Sequence, residues 1–521
     1  MSPRLVSRPG RLRAPVAALI GAAAALASVQ VFPDPVAAHA LGSSFPLPVP
    51  LWLYLAGAAI AVAASFVVAV IVVKPPADPP RYPTRPVPET AARWGGTILK
   101  VVGAAWWYGA ILTGFLIGGI TYLPAVLFWI GIWVAVPMAA ALLGNPWPAL
   151  SPFRTTHDLL DAVVRWLFRG RRLDLGLPMP PIGRWPAVIA LFVFLILELV
   201  WPDRLNPISI AVLLTGYTVV TLLGMTMFGN VTWLRSFELF EILNGWFGRV
   251  GPMGRRTRRS ELCTNCTDGC NPAHCVDCAE CVAARDGDDQ GVELRWWVTG
   301  LTETTRTGWS DAAFIVMALA GVTFDGLQET SLGTAILSAL FTPLSTSFGP
   351  LAASYLSPVL MLAGVFGVFM LVFSTAADLT RRLGQRGGDG EADAPDPAVL
   401  APLGQVAGAY APTLLPIAAG YLVAHYLTLV LQGVVWLPQL VVDPTAIAPT
   451  LDVIPTAAIW YLSVGAIVAG HVAAVVLAHR LALREQAWRP IAAGLPLVIV
   501  MIGYTVLSLW IIAQPIVIEP T

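Results

Sequence analysis

The sequence predicts an all-α protein, a polytopic transmembrane helical bundle with about ten spans after an N-terminal signal or anchor. Hydrophobic residues make up 56% of the 521 residues and charged residues only 12%, and the mean hydropathy is +0.72. Soluble domains carry roughly 25% charged residues. Apolar runs of about 20 residues recur along the chain, and a helix of that length crosses roughly 30 Å of hydrocarbon.

The expected partners follow from the same composition. The formal net charge is zero, so there is no basic field of the kind that attracts nucleic acid, and no nucleic-acid partner is expected. Membrane lipids are the predicted surroundings, with a membrane-protein partner or a second copy of the chain as further candidates.

The first 38 residues have the composition of a signal peptide or signal anchor. Arginines within residues 4–13 precede the apolar stretch "PVAALIGAAAALASVQVF". The small residues of "PDPVAAHA" suit cleavage after Ala38 or after Ala40, and an uncleaved first helix is the alternative. Cleavage after Ala38 would make His39 the N-terminal residue. Because the arginines stay inside, the mature chain is expected to begin on the outer side.

Ten further apolar segments predict spans, five on each side of one large loop. They are 51–73, 97–120, 123–144, 186–200, 207–228, 309–341, 351–375, 403–433, 455–480 and 490–513. The sixth is too long for one straight span, and "FDGLQET" predicts a break near Gly326. The predicted organisation is a first membrane half at 39–228, a loop at 229–308 and a second membrane half at 309–521.

The basic residues predict the orientation of the spans. If residue 51 lies outside, only Arg204 of the 31 Lys and Arg residues falls in an outer loop, as expected because basic loops stay in the cytoplasm. The loop 229–308 is therefore expected to be cytoplasmic. Segments 145–168 and 231–250 mix aromatic and basic residues at helical spacing and are expected to lie on the bilayer surface, with His157 solvated.

All six cysteines of the chain lie in that loop, within "ELCTNCTDGCNPAHCVDCAEC". They are Cys263, Cys266, Cys270, Cys275, Cys278 and Cys281. Cytoplasmic thiols stay reduced, so a metal site is expected rather than disulfides. Two C-x2-C pairs suit tetrahedral zinc. The C-x2-C-x2-C run from Cys275 is instead typical of an iron–sulfur cluster, with Arg285 where a fourth cysteine would stand. Cu(I) and free thiols are the remaining alternatives.

Ionisable side chains inside the predicted spans are costly in hydrocarbon and are therefore functional candidates. They are Glu198, Asp325, Glu329, His425 and His471. At about 1.5 Å per residue, Asp325 lies some 24 Å from the inner end of its span. Glu198 and His425 are also expected in the outer half of the membrane, whereas His471 is expected nearer the cytoplasm.

These residue types predict a metal site with acid–base chemistry. Histidine and carboxylate ligands in a partly dry cavity suit zinc, iron or copper. We expect Asp325 and His425 to bind such a metal, with His471 and the N-terminal His39 as further candidate ligands. Glu329, one helical turn from Asp325, is expected to orient a ligand or to accept a proton.

Several stretches are together similar to a known group of proteins. They are "AHALGSSFPLPVPLWLYLAGAA" (38–59), "GNPWPALSPFRT" (144–155), "FDGL" (324–327), "AHYLTLVLQG" (424–433), "GHVAAVVLAHRLALR" (470–484) and "YTVLSLWIIAQP" (504–515). The chain resembles bacterial fenitrothion hydrolase-like membrane proteins. This resemblance implies a multi-pass protein of the bacterial cytoplasmic membrane and hydrolysis of an organophosphorus triester. The cysteine-rich segment is an addition to that pattern.

The function expected from these observations is that of an integral membrane metalloprotein that hydrolyses a lipophilic ester, with Asp325, His425 and Glu329 as catalytic residues. One alternative is copper or other metal handling, with His39 outside and thiolates inside. The other is a membrane redox subunit with an iron–sulfur cluster and haem or quinone, in which His425 and His471 would be axial ligands.

Overall fold

The computed structural model describes residues 45–74, 83–257, 290–302, 307–385, 402–451, 454–485 and 489–518. Ten helices in these ranges are long and apolar enough to cross a membrane, and Trp185–Leu199 is a shorter apolar helix. The predicted all-α polytopic fold is confirmed, and the chain is a multi-pass membrane protein. The predicted signal at 1–38, His39 and the six cysteines lie outside the described residues.

The helices before the large loop match the predicted spans closely. They are α1 (Leu51–Val72), α2 (Glu89–Ile117), α3 (Leu123–Leu143), α4 (Trp147–Leu150), α5 (Pro152–Leu167), α6 (Trp185–Leu199), α7 (Pro207–Phe228), α8 (Asn230–Ser236) and α9 (Leu239–Gly248). Several begin with proline in the first turn, where the missing N–H costs nothing. Within α3, Val126–Ala135 is π-helical, a wider winding that often occurs near functional sites.

The helices after the loop are longer. They are α10 (Trp309–Gln328), α11 (Ser331–Phe348), α12 (Pro350–Gln385), α13 (Leu403–Tyr410), α14 (Leu415–Val442), α15 (Thr456–Glu485) and α16 (Pro490–Ile516). A 3₁₀ turn at Ala411–Leu414 joins α13 to α14. Helix α14 continues to Val442, beyond the predicted end of that span at residue 433.

The predicted sixth span is two helices. The break lies at Glu329 and Thr330 rather than near Gly326, and α11 is itself long enough to be a candidate span. The Thr330 hydroxyl accepts a hydrogen bond from the backbone N–H of Gly333 (3.0 Å), which is the usual way of satisfying the first turn of a helix. A local cap, which hydropathy does not reveal, therefore determines where α11 begins.

The prediction that segment 231–250 lies on the bilayer surface is wrong for α9, because nine of its ten residues are buried. Its Phe240 ring contacts the ring of Trp147, 5.1 Å away between centroids. His157, predicted to be solvated, is 4% exposed. Helix α9 therefore packs inside the protein, whereas α5 leaves Leu159 and Trp166 65% and 81% exposed.

Two small sheets connect distant parts of the chain. Their strands are β1 (Phe45–Pro46), β2 (Arg85–Pro86), β3 (Met253–Thr257), β4 (Gln290–Leu294) and β5 (Val517–Ile518). β1 and β5 are parallel, and the second sheet has the order β2-β4-β3 with antiparallel pairs. Thr257, the last residue of β3, pairs with Gln290, the first residue of β4. The two residues that flank the cysteine-rich segment in sequence are therefore neighbours in this sheet.

Helix α10 is the most buried of the candidate spans, with 89% of its apolar window inside the protein. Its start is held by an ion pair between Arg184 and Asp311, and the Asp311 carboxylate also accepts a hydrogen bond from the N–H of Gly308 (3.0 Å). Helix α10 therefore carries its polar residues into the centre of the bundle.

Candidate functional site

A group of polar side chains meets where α10 packs against α14. Asp325 Oδ2 accepts hydrogen bonds from His425 Nε2 (3.0 Å) and from the Tyr426 hydroxyl (2.6 Å). Asp325 Oδ1 accepts a longer one from Gln328 Nε2 (3.3 Å). Asp325 is 7% exposed and His425 is 5% exposed. We call Asp325, His425 and Tyr426 the acid–base centre.

The close approach of the helices makes this contact geometrically feasible. A Cβ added to Gly326 would lie 2.5 Å from Cγ2 of Ile511 on α16 and 2.8 Å from the hydroxyl oxygen of Tyr421 on α14. A side chain at this position would therefore force α10 away from its neighbours. The same glycine that suggested a helix break from sequence instead permits Asp325 to reach α14.

A second carboxylate lies beside the centre. Glu198, near the end of α6, interacts electrostatically with Asp325 and Arg204, and the indole of Trp133 lies beside it. Trp133 belongs to the π-helical part of α3. Two carboxylates at one site repel each other when both are ionised, so Glu198 adds a negative charge beside the centre.

The other predicted site residues lie around the centre or away from it. Glu329 is exposed at the end of α10 and interacts electrostatically with Tyr421. His471 is 1% exposed, and its Nδ1 is 2.8 Å from the Ile467 carbonyl oxygen.

The structure does not bring His471 into the centre. The residue before it, Gly470, packs against the Pro416 carbonyl. Pro416 precedes His425 by nine residues, about 13 Å along α14. His471 therefore lies at a different depth in the bundle from the centre.

The positions of these residues show which of the predicted ligands could hold an intramembrane metal. Among the residues that the structure describes, no group of three or more His, Cys, Asp or Glu side chains could hold a metal ion. Asp325 and His425 provide two candidate ligands, and they bind each other. His39, proposed as a further ligand, is outside the described ranges. The described part of the chain therefore fits a hydrogen-bonded acid–base pair better than a complete metal site.

Sequence reasoning identified Asp325 and His425 but missed their aromatic neighbours. Tyr426 follows His425 directly, and Tyr421 lies one helical turn before it, with 5.6 Å between the ring centroids. The spacing i, i+4 places two side chains on one face of a helix. The spacing of Tyr421 and His425, together with the hydroxyl of the adjacent Tyr426, is the pattern from which these neighbours could have been predicted.

No protein-family model, no curated protein and no solved structure matches the chain.

A second polar cluster, also missed from sequence, surrounds the start of α9. Glu238 is 0% exposed, and its carboxylate accepts hydrogen bonds from the Tyr217 hydroxyl (2.6 Å), the Trp147 indole (3.1 Å) and the N–H groups of Phe240 (3.1 Å) and Glu241 (2.7 Å). Burial nevertheless raises the pKa of Glu238 from 4.5 to about 7. The Glu238 carboxylate caps the start of α9 by accepting hydrogen bonds from backbone N–H groups of its first turn, so we assign this cluster a structural role.

Proposed function

We propose that this protein is a multi-pass membrane enzyme that hydrolyses a lipophilic ester by acid–base chemistry at Asp325, His425 and Tyr426. The observation that supports it is the 3.0 Å contact between Asp325 and His425, which come from different helices and meet inside an apolar core. Ionisable groups are costly inside a membrane protein and usually mark working sites. The resemblance to fenitrothion hydrolase-like proteins supports an organophosphorus triester as the first substrate class.

The proposed step uses the imidazole as a base. Because Asp325 accepts the Nε2 proton of His425, Nδ1 is the basic nitrogen of the neutral ring. Nδ1 takes a proton from water, and the hydroxide attacks the phosphorus or the carbonyl carbon of the ester. The bond to the leaving oxygen breaks, and that oxygen takes the proton back from the imidazolium. The products are an acid and an alcohol, and the centre returns to its starting state.

The neighbours of the histidine act on its orientation and charge. Asp325 holds the ring in one tautomer and stabilises the imidazolium that forms during the step. The Tyr426 hydroxyl fixes the carboxylate through the 2.6 Å hydrogen bond to Oδ2. Tyr426 is therefore a positioning residue in this scheme.

The test measures hydrolysis of a dialkyl p-nitrophenyl phosphate and of a long-chain p-nitrophenyl carboxylate by the purified protein. Asp325→Asn and His425→Gln should lower kcat/KM by about 10²- to 10⁴-fold, the usual contribution of a general base. Tyr426→Phe should lower kcat by a smaller factor and shift the pH profile. Tyr108→Phe, which loses one hydroxyl contact to Thr156 (2.5 Å) between α2 and α5, is the matched control and should retain activity.

Two outcomes would overturn the proposal. One is full activity in His425→Gln, and the other is the absence of hydrolysis of both ester classes by the unmodified protein. Metal analysis of the same preparation tests the predicted zinc, iron or copper. A membrane metal that stays fully bound after substitution of Asp325 and of His425 would reject these residues as its ligands, and copper lost in His39→Ala would favour metal handling.

We propose separately, from sequence, that the cysteine-rich segment binds a metal on the cytoplasmic side of a bacterial cytoplasmic membrane. Colourless zinc would support a structural site. Brown iron with acid-labile sulfide would support an iron–sulfur cluster and the redox alternative. A reporter fused next to residue 290 should be active only in the cytoplasm, and activity outside would reverse the orientation expected from the basic residues.

A further inference from the structure

An apolar cavity of about 320 Å³ lies between α10, α12, α14 and α16. Ligand pockets begin at about this size and are mostly apolar with a few polar groups. The lining includes Leu319, Phe369, Phe373, Ile417, Met501 and Tyr504. Of all the side chains that line it, Tyr504 alone carries a hydroxyl group, and the rest carry no polar atom.

The cavity opens to the outside of the bundle within the candidate spans. Val368 and Val372, on the α12 wall, are 58% and 43% exposed. Apolar side chains exposed at this position on a spanning helix face lipid. A molecule dissolved in the bilayer can therefore enter from the side without crossing water.

The cavity also contacts α10, the helix that carries Asp325 of the acid–base centre. The Tyr504 hydroxyl is 2.7 Å from the Thr323 hydroxyl, and Thr323 precedes Asp325 by two residues. Leu319, in the cavity wall, precedes Asp325 by six residues, about 9 Å along α10. The apolar volume and the centre are thus neighbouring parts of one helix bundle.

Two buried polar atoms, one beside the centre and one beside the cavity residue Tyr504, have no hydrogen-bond partner within the described structure. They are the Tyr421 hydroxyl and Nε2 of His471, on residues that are each 1% exposed. The Tyr421 ring lies 5.6 Å from that of His425, and the His471 ring lies 5.9 Å from that of Tyr504. Buried polar atoms normally have a partner, so this region suits the polar part of a ligand.

We propose that the cavity binds the alkyl chain or aromatic ring of a lipophilic ester that enters from the bilayer, with the ester group directed toward Tyr421 and the acid–base centre. This assignment rests on the proposed function and adds the substrate class and its route of entry. The apolar lining selects a hydrocarbon substituent, and the side opening selects molecules that partition into membranes.

The cavity offers a substitution that fills it at little steric cost. Gly503 lines the cavity, and a Cβ added there meets nothing within 4 Å. We expect the ring of Gly503→Phe to occupy part of the cavity. Gly216→Phe is the matched control, because Gly216 is also helical and exposed and an added Cβ also meets open space. Val372→Trp is a second filling variant for use if Gly503→Phe unfolds.

The experiment uses a triester with a photoreactive diazirine in its alkyl chain, added to the full-length protein in lipid nanodiscs. The probe should crosslink to peptides of α12 and α16 around residues 368–373 and 500–507. An excess of unlabelled triester should reduce the crosslink, as should Gly503→Phe, by about tenfold or more, while Gly216→Phe should not. Gly503→Phe should also raise KM for long-chain esters far more than for short-chain ones.

Two results would overturn this inference. Crosslinks only on helices other than α10, α12, α14 and α16 would place the ligand elsewhere, and competition by phospholipid but not by triester would make the cavity a lipid site. The proposed function fails separately. A probe that binds in the cavity but is never hydrolysed would reject the enzyme, whereas hydrolysis that depends on Asp325 with crosslinks elsewhere would reject only the cavity.

Discussion

Replacing Asp325 should show how much the acid–base centre contributes to folding. Asp325→Ala removes the acceptor of the hydrogen bonds from His425 (3.0 Å) and Tyr426 (2.6 Å). Both donors are buried, and each buried donor left unsatisfied costs roughly 1–3 kcal/mol. The expected loss in the free energy of unfolding is therefore about 2–6 kcal/mol, partly offset because the repulsion between Asp325 and Glu198 is also removed. Asp325→Asn keeps an acceptor oxygen and should cost clearly less.

The assay is unfolding in mixed detergent micelles followed by tryptophan fluorescence. The double variant Asp325→Ala with Tyr426→Phe removes the orphaned hydroxyl as well, so the two effects should not add. It should be more stable than Asp325→Ala alone by roughly the 1–3 kcal/mol assigned to one unsatisfied group. Equal stability of Asp325→Ala and Asp325→Asn, or strict additivity in the double variant, would refute the reasoning.

Three further predictions concern the first half of the chain. A Cβ at Gly103 would overlap the Leu150 carbonyl at the end of α4, so Gly103→Ala should destabilise the protein by about 1–3 kcal/mol. A Cβ at Gly109 meets open space, so Gly109→Ala should be neutral or up to about 1 kcal/mol stabilising. Equal melting temperatures of the two variants would contradict this. Because the pKa of Glu238 is raised to about 7, its protonation stabilises the folded state fully below about pH 4.5, and this stabilisation is lost as the pH rises through 7. The free energy of unfolding measured against pH should show this loss. Glu238→Gln should abolish it. Arg154→Lys should lower the free energy of unfolding by about 1–3 kcal/mol, because the two hydrogen bonds to Glu241 (2.8 and 3.2 Å) need a guanidinium. An unchanged midpoint of chemical unfolding would count against that pair.

Asp325 and His425 could be predicted as site residues because the cost of ionisable groups in an apolar span is visible in the sequence. That they form one hydrogen-bonded pair could not be predicted, since they are 100 residues apart. His471 met the same criterion, yet its neighbour Gly470 packs at the level of Pro416, nine residues before His425 in α14. Composition identifies candidates, but it does not tell which faces of two helices meet.

The aromatic partners were missed for a related reason. Tyrosine and tryptophan are common in membrane helices, so Tyr426 and Trp133 carry no special pattern until a carboxylate is seen beside them. Glu238 was overlooked because it lies in a mixed segment that hydropathy assigns to the bilayer surface. Its burial depends on the tight packing of α9 against the rings of Trp147 and Tyr217.

By itself the sequence determined the fold class and, closely, the helices, because a segment that crosses hydrocarbon must be apolar and must satisfy its backbone hydrogen bonds internally. Both requirements are local. Only the tertiary structure decided that the sixth segment divides at Thr330, that α9 is buried, and that Asp325 reaches His425 past Gly326. These outcomes depend on how side chains distant in the chain fill shared space, and that packing is not encoded in any one segment.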